Sequence, residues 1–220
     1  MYSDNIGIPE SGNNIADILD EVRYELEWMM KMQDTEDGGV YHKVTCDTFP
    51  GYVMPEKETK PLIVMPKSTT ATADFAASMA LAYEIYKDVD ADFADKCLDA
   101  AKKAYNWATE NPNVTYSNPD DIVTGEYGDS KTADELYWMA AQMYRATGDE
   151  SYIENIGSAN IGLDWSTVGD YGNIAILTMK DIDKTSDIYK NALTAVKKQA
   201  DNLISVSGIM PYGVAITKYN

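Results

Sequence analysis

Carboxylates are the most abundant groups in this chain that could do chemistry, and histidine is the rarest. The 220 residues contain 36 acidic side chains but a single histidine, His42. A pair of carboxylates can act as general acid and general base, and Asp120-Asp121 and Asp129 lie in loop-like sequence. Because a chain this acidic always offers such pairs, we interpret these three aspartates as solvated surface groups.

The charge balance excludes some partners and leaves others open. Only 18 basic residues stand against the acids, and the net charge of −18 repels nucleic acids and anionic membrane surfaces. A neutral sugar polymer is not repelled. The 16 tyrosines and 4 tryptophans offer flat apolar faces with polar edges, which suit pyranose rings. We therefore expect no nucleic acid or membrane partner.

Neither the cysteines nor the start of the chain carries a recognisable signal. The spacing of Cys46 and Cys97 matches no metal motif, and we expect two unrelated thiols. No apolar run is long enough to span a membrane. Met1-Tyr2-Ser3-Asp4 lacks the basic and apolar regions of a signal peptide. The chain is therefore either cytoplasmic or an internal piece of a longer, processed protein, and we expect no organic cofactor.

Apolar periodicity predicts a first helix over residues 15–33, followed by a long loop. The apolar positions recur at helical spacing: Ile18, Leu19, Val22, Leu26, Met29 and Met30. Asn14 is placed to cap this helix, with Asp17 at its third position. The polar segment 34–67 contains several glycines and prolines, and a loop of this length is usually functional.

The rest of the chain predicts helices joined in pairs. An alanine-rich helix from Ser68 and a helix through residues 93–108 form an antiparallel hairpin around the acidic turn 88–90. No segment predicts a strand persuasively, so the architecture is all-α, with the long loops and any site at one end. The remaining helices are predicted over 133–147 with Gly148 after its end, over a short segment capped by Asp149, and over 172–180 and 185–204.

Four stretches of the sequence form a recognisable set when they are read in order. The first is Ile8-Pro9-Glu10-Ser11-Gly12-Asn13-Asn14-Ile15, which leads into the first helix. The second is the glycine-rich turn with a His-Lys pair, Gly38-Gly39-Val40-Tyr41-His42-Lys43-Val44. The third and fourth are residues 68–77 and the run from Asp134-Glu135-Leu136-Tyr137-Trp138 to Gly148-Asp149. In this order the four stretches resemble family 9 glycoside hydrolases.

The resemblance implies an (α/α)6 barrel and a secreted endo-β-1,4-glucanase of the cellulase type, which hydrolyses cellulose or a related β-glucan with inversion. Inversion needs one carboxylic acid to protonate the leaving oxygen and one carboxylate to activate water. In the family these come from an Asp-Ala-Gly-Asp motif before the Ile-Pro-Glu-Ser-Gly stretch and from a glutamate well downstream. Neither motif occurs in these residues, so we assign no catalytic residue. We expect residues 1–220 to be a single domain, the central part of the catalytic domain and only part of the barrel, inactive alone.

The resemblance also implies sugar-contacting residues. His42 matches a histidine that lines the glucan cleft, and Lys43 follows it in the same motif. Tyr127, within Gly125-Glu126-Tyr127-Gly128, lies where the family often places a sugar-contacting aromatic. Some members carry a tryptophan three residues after the histidine, where this chain has Thr45, so one subsite is expected to be weaker. Without the resemblance, His42 is an exposed loop histidine and Tyr127 a packing residue.

A structural calcium site is implied at Ser130 and the paired acids Asp134 and Glu135. Calcium takes several oxygen ligands, which two adjacent carboxylates and loop carbonyls can supply in part. The family's further acid follows a tryptophan, but Ser166 follows Trp165 here. Either Asp170 or Asp164 substitutes for it, or the site is lost. The alternative is that Asp134 and Glu135 only complement the dipole at the start of a helix.

Two other classes of function remain open. The chain could be a non-catalytic glycan-binding or scaffold module with the same helical frame, or belong to another (α/α)6 carbohydrate enzyme. Because a barrel closes by packing its last hairpin against its first, a partial barrel should expose apolar helix faces. We therefore predict that the chain alone binds a hydrophobic dye or associates with itself.

Overall fold

A computed structural model describes residues 3–159 and 161–215 of the chain. The Cα positions separate into two compact units, residues 1–132 and residues 133–220, called unit 1 and unit 2. The described residues form six α-helices and one two-stranded sheet. That residues 1–220 are a single domain stays a prediction.

Unit 1 contains three helices and a short antiparallel sheet. The sheet pairs Val44 with Val64 and Thr45 with Ile63. The expectation of no strand was wrong here, because a strand of two residues is too short to show alternation. The elements are α1 (Asp17–Met30), β1 (Val44–Thr45), β2 (Ile63–Val64), α2 (Thr69–Tyr86) and α3 (Ala91–Glu110), with a 3₁₀ turn at Pro55–Lys57.

The α2–α3 hairpin of unit 1 was predicted and is confirmed. Ser68 and Asp90 cap the two helices, accepting hydrogen bonds from Ala71 N and Phe93 N. The alanines that face the partner helix are fully buried, and small residues allow helix axes to approach closely. These alanines are Ala73, Ala76, Ala77 and Ala80 on α2 and Ala101, Ala104 and Ala108 on α3.

The start of α1 differs from the prediction. Asn14 does not cap the helix, because its backbone is left-handed (φ 72°) and its N–H donates to Asp4 Oδ2. Asp17 is the first helical residue, and its Oδ2 accepts from Ile6 N and Ser11 Oγ in the preceding loop. Of the predicted apolar face only Leu26 is buried, whereas Ile18 and others are exposed.

Unit 2 contains α4 (Ala133–Thr147), α5 (Gly169–Leu177) and α6 (Asp187–Ile209), with 3₁₀ turns at Glu150–Ile153 and Pro211–Gly213. The predicted bounds of α4 are confirmed, while α5 begins earlier and α6 ends later than expected. Gly148 follows α4 with φ +74°, a conformation that glycine adopts without strain. Asp149 caps the following turn by accepting from Ser151 N. The core of unit 2 is formed by Ala141, Ala175, Ile176, Ile182 and Ala192.

The two thiols are separate, as predicted. Cys46 and Cys97 are both free, and burial raises the pKa of Cys97 to about 12. Within the described part of the chain, no helix combines the length and apolar character needed to cross a bilayer. Several large apolar side chains on α6 are exposed, among them Ile204 and Ile209. Dye binding or self-association by the chain stays a prediction.

Candidate functional site

A cluster of charges fixes the beginning of the long loop in unit 1. Lys67 Nζ lies 2.7 Å from Asp34 Oδ2 and 2.8 Å from Asp37 Oδ1. Tyr41 also donates to Asp34, and Trp107 Nε1 of α3 donates to Asp37. The Lys67 ammonium lowers the pKa of Asp34 to about 2. These contacts join the two ends of segment 34–67 to each other and to α3. They fix the backbone that leads to His42.

His42 joins the cap of α2 to a distant loop. Its Nδ1 lies 2.8 Å from Ser68 Oγ, and its Nε2 lies 3.0 Å from the Tyr127 carbonyl oxygen. The ring stacks on Tyr116 with centroids 4.1 Å apart and planes 16° apart. Both ring nitrogens and one ring face are thus engaged by protein groups.

These partners select one form of the imidazole. A carbonyl oxygen only accepts, so Nε2 must carry a proton, and in the neutral ring Nδ1 then accepts from the Ser68 hydroxyl. Burial lowers the pKa of His42, and it outweighs the carbonyl contact with Tyr127, which acts in the opposite direction. His42 is therefore a neutral connector between two segments, with its single N–H directed at Tyr127.

Lys43 reaches into the same loop as its neighbour. Its Nζ donates to Asn118 Oδ1 at 2.8 Å and to the Gly125 carbonyl oxygen at 2.5 Å. The ammonium also lies 5.6 Å from the ring centroid of Tyr116 and 6.0 Å from that of Tyr127, within reach of cation–π attraction. Burial lowers the pKa of Lys43. The His-Lys pair thus holds the 116–128 segment at several points.

Asn118 organises the rest of that segment. Its side-chain amide donates to the Thr124 carbonyl oxygen at 2.7 Å, and its side-chain oxygen accepts from Tyr116 as well as from Lys43. Its own N–H donates to Glu126 Oε2. Sequence reasoning missed Asn118 and Tyr116, because their partners are brought together only by the fold.

Tyr127 is the residue that this network presents to solvent. Its backbone is left-handed (φ 54°), an unfavourable conformation for a bulky residue that the His42 contact helps to hold. Its side chain is 67% exposed, and the ring lies over Gly125, where an added Cβ would meet it at 3.0 Å. The structure therefore brings together the three residues predicted to contact sugar, with one exposed ring among them.

The His-Lys pair also lines a cavity of about 280 Å³ within unit 1. Its walls are mainly apolar, with Asp74 as the acidic group among them. Trp28 of α1 is 43% exposed and lies in this lining. Further lining residues are Met29, Met32, Val40, Tyr41, Ala71 and Phe75.

The four residues predicted to bind calcium differ in burial. Asp134, Glu135 and Asp170 of unit 2 are buried, whereas Ser130 of unit 1 is exposed. Asp134 Oδ2 accepts from Val168 N at 2.9 Å, and Asp170 accepts from Gly162 N and Asn173 Nδ2. Among the described residues, no three or more histidine, cysteine, aspartate or glutamate side chains are grouped to hold a metal.

Comparison with known proteins places this chain in a family of glycosyl hydrolases. The model for "Glycosyl hydrolase family 9" matches residues 2–219. Endoglucanase D of Acetivibrio thermocellus is 34% identical over 215 residues, 94% of this chain and 34% of that protein. A xyloglucan-specific endo-β-1,4-glucanase of Bacteroides ovatus is 43% identical over 159 residues, 68% of this chain and 27% of that protein.

A solved family 9 structure from Bacteroides ovatus has the same fold. It superposes with a TM-score of 0.85 at 35% identity, covering 96% of this chain and 41% of that one. The chain belongs to glycosyl hydrolase family 9. The predicted all-α fold of the (α/α)6 type is thereby confirmed. The matched residues span about a third of Endoglucanase D and about a quarter of the xyloglucan-specific enzyme.

Proposed function

We propose that the protein hydrolyses β-1,4-linked glucans, and that unit 1 contributes a sugar-binding wall centred on Tyr127. The main support for this wall is the exposed Tyr127 ring, which lies on a left-handed turn held by His42 and is flanked by Lys43. An aromatic face bordered by polar groups suits a pyranose ring, whose faces are apolar and whose edges carry hydroxyls. The family match over almost the whole chain supports the assignment.

In this proposal the three predicted residues have different roles. Tyr127 contacts the sugar, since its ring is exposed. His42 acts through Tyr127 as a positioning residue, because both of its nitrogens already have protein partners. Lys43 is likewise occupied by Asn118 and Gly125. Direct sugar contacts by His42 and Lys43 remain predictions from the resemblance.

We propose that the protein recognises the β-1,4-glucan backbone, because this backbone is common to the substrates for which two of its relatives are named. One is named an endoglucanase and the other a xyloglucan-specific endo-β-1,4-glucanase. Hydrolysis with inversion would place an acid and a base on opposite sides of the bond. No residue in these 220 matches either catalytic motif of the family, so the proposal assigns binding, and not proton transfer, to this wall.

Calorimetry with cellotriose and hydrolysis assays test this proposal. The 220-residue chain should bind cellotriose, and replacing Tyr127 by Ala should weaken that binding. Protein that includes the family's two catalytic motifs should cleave neutral hydroxyethylcellulose and xyloglucan in preference to xylan or uronides. Binding without cleavage by that longer protein would identify a glycan-binding module, and cleavage confined to xylan or uronides would identify another (α/α)6 enzyme.

We also propose a structural Ca²⁺ ion with Asp134 and Glu135 among its ligands. Support comes from their burial in the first turn of α4 and from the preference of calcium for carboxylate and carbonyl oxygens. Ser130 and Asp170 stay predicted ligands. Calcium added to chelator-treated protein should raise its melting temperature, and Glu135→Gln should reduce that rise. An unchanged melting temperature would favour the helix-dipole explanation.

We further propose that the protein acts outside the cell. A β-glucan polymer cannot cross a bilayer, so an enzyme that cleaves it must meet it outside. Fractionation of the source cells, with immunodetection of the protein in medium and lysate, tests this. Protein confined to the lysate would contradict it.

A further inference from the structure

The tip of the long loop in unit 1 is apolar, exposed and unused by the site described above. Every residue from 49 to 57 is exposed. Phe49 is 68% exposed and Tyr52 is fully exposed. Residues 48–55, here called the aromatic tip, contain no charged side chain although the chain carries a net charge of −18. Exposed apolar patches of this kind mark interaction surfaces more often than isolated apolar residues do.

Polar contacts at the base, and not the aromatic side chains of the tip, hold this loop in place. Lys60 Nζ lies 2.8 Å from Asp47 Oδ1 and donates to the Thr48 carbonyl oxygen. The β1–β2 pairing closes the loop just outside these contacts. Pro50 and Pro55 restrict the backbone of the tip. Phe49 and Tyr52 are therefore presented on a braced loop and have no part in its anchoring.

The same base is bonded to the segment that carries Tyr127. Val123 N donates to the Asp47 carbonyl oxygen at 2.9 Å, and Thr45 Oγ1 lies 2.8 Å from Thr124 Oγ1. Ile122 also packs in one buried cluster with Met65, next to β2. The base of the aromatic tip and the segment that carries Tyr127 are thus directly bonded to each other within unit 1.

We propose that Phe49 and Tyr52 form a second sugar platform, which binds a β-1,4-glucan chain beyond the ring held at Tyr127. An uncharged aromatic surface on an acidic protein favours a neutral ligand with apolar faces over a nucleic acid or an acidic peptide. Continuity with the Tyr127 wall favours the same glucan chain as the occupant. The inference rests on the proposed function, which it extends from one subsite to two.

Two linked platforms predict that affinity depends on the length of the ligand. A short oligosaccharide occupies the Tyr127 site alone, whereas a polymer bound there holds its next segments at high local concentration near the tip. Loss of the tip should therefore weaken binding of a polymer and leave binding of a trisaccharide unchanged.

The test compares Phe49→Ala/Tyr52→Ala with the unaltered 220-residue chain. Retardation in gels containing hydroxyethylcellulose measures polymer binding, and calorimetry measures cellotriose binding. The double variant should lose about tenfold in polymer affinity, as expected for removal of a binding hot spot. Tyr24→Ala is the matched control, because Tyr24 is a tyrosine of α1 that is 80% exposed, and it should bind like the unaltered chain. Tyr52→Phe keeps the ring face and should retain polymer binding.

The other possible results contradict either the second platform alone or the proposed function as well. Equal polymer binding by the double variant and the unaltered chain overturns the second platform and leaves the proposed function standing. Equal loss of polymer and trisaccharide binding also overturns it, since the tip would then not be a separate platform. A concentration-dependent dimer that disappears in the double variant, with polymer binding intact, would make the tip a self-association surface. An unaltered chain that binds neither ligand overturns the proposed function together with the platform.

Discussion

The two units of the chain bury polar groups of different kinds. Unit 1 buries hydroxyls at the start of α2, namely Ser68, Thr69, Thr70 and Thr72, and Asp17 is its one buried carboxylate among the described residues. Unit 2 buries three carboxylates, Asp134, Glu135 and Asp170. Neutral hydroxyls can be satisfied by nearby backbone and side-chain groups, whereas buried charges need stronger compensation.

The difference indicates different uses of burial. In unit 1 the hydroxyls shape a wall: Ser68 contacts His42, Thr69 exchanges hydrogen bonds with Val114, and Thr72 accepts from Val40 N. In unit 2 the carboxylates lie in the first turns of α4 and α5, where helix dipoles and a proposed cation would both favour negative charge. Under the proposals above, unit 1 serves sugar recognition and unit 2 gains stability from a bound ion.

Removal of calcium should destabilise unit 2 more than unit 1. A ligand present at 1,000 times its dissociation constant adds about 4 kcal/mol to the stability of the form that binds it. Hydrogen exchange in chelator should therefore speed up across α4 and α5 and stay unchanged around His42. Equally faster exchange in both units would contradict this prediction. Asp187→Asn, at the exposed first residue of α6, is the control for a general effect of charge.

Replacement of His42 by alanine should disturb unit 1 at its wall. The variant loses the contacts to Ser68 and Tyr127 and the stack on Tyr116, for a cost of about 2 kcal/mol in the free energy of unfolding. Cellotriose affinity should fall as well, because Tyr127 loses its anchor. His42→Gln retains an N–H at a similar reach and should restore much of the affinity. If glutamine restores stability but no affinity, His42 contacts the sugar directly.

Replacement of Tyr127 by alanine should affect binding more than folding. Its ring is largely exposed, so the free energy of unfolding should change by less than about 0.5 kcal/mol. Loss of the stacking face should weaken cellotriose binding about tenfold, a change of about 1.4 kcal/mol. Tyr127→Phe keeps the face and should bind nearly as well. Paired calorimetry and denaturant melts separate the two effects, and a large loss of stability would show that Tyr127 is a packing residue.

The smallest predicted effect is a pH dependence that belongs to His42. Its folded-state pKa lies below the unfolded value, so the unfolded chain binds more protons in the window beneath about 6.5. Stability should therefore be complete above that window and should decrease as the pH falls through it. Because the chain has one histidine, its NMR resonance reports the pKa directly. The His42→Gln variant should lack this part of the pH dependence, and an NMR pKa above 6.5 would reverse the sign.

Patterns in the sequence were enough to predict the helical class, the α2–α3 hairpin, the bounds of α4 and the family. These depend on signals that are local along the chain: alanine spacing, the caps at Ser68 and Asp90, the glycine after α4, and ordered motifs. It also singled out His42, Lys43 and Tyr127, through a match of motifs and not through their geometry.

The contacts of those three residues could be read only from the folded chain. His42 and Tyr127 are 85 positions apart, and nothing local predicts that one ring nitrogen meets the other residue's carbonyl oxygen. The failed cap at Asn14 has the same origin, since Asp4 draws its backbone N–H into a left-handed turn. Periodicity and capping report interactions within a few residues. Hydrogen bonds between distant segments depend on how the folded chain brings those segments together, and this is why the roles within the wall emerged only from the structure.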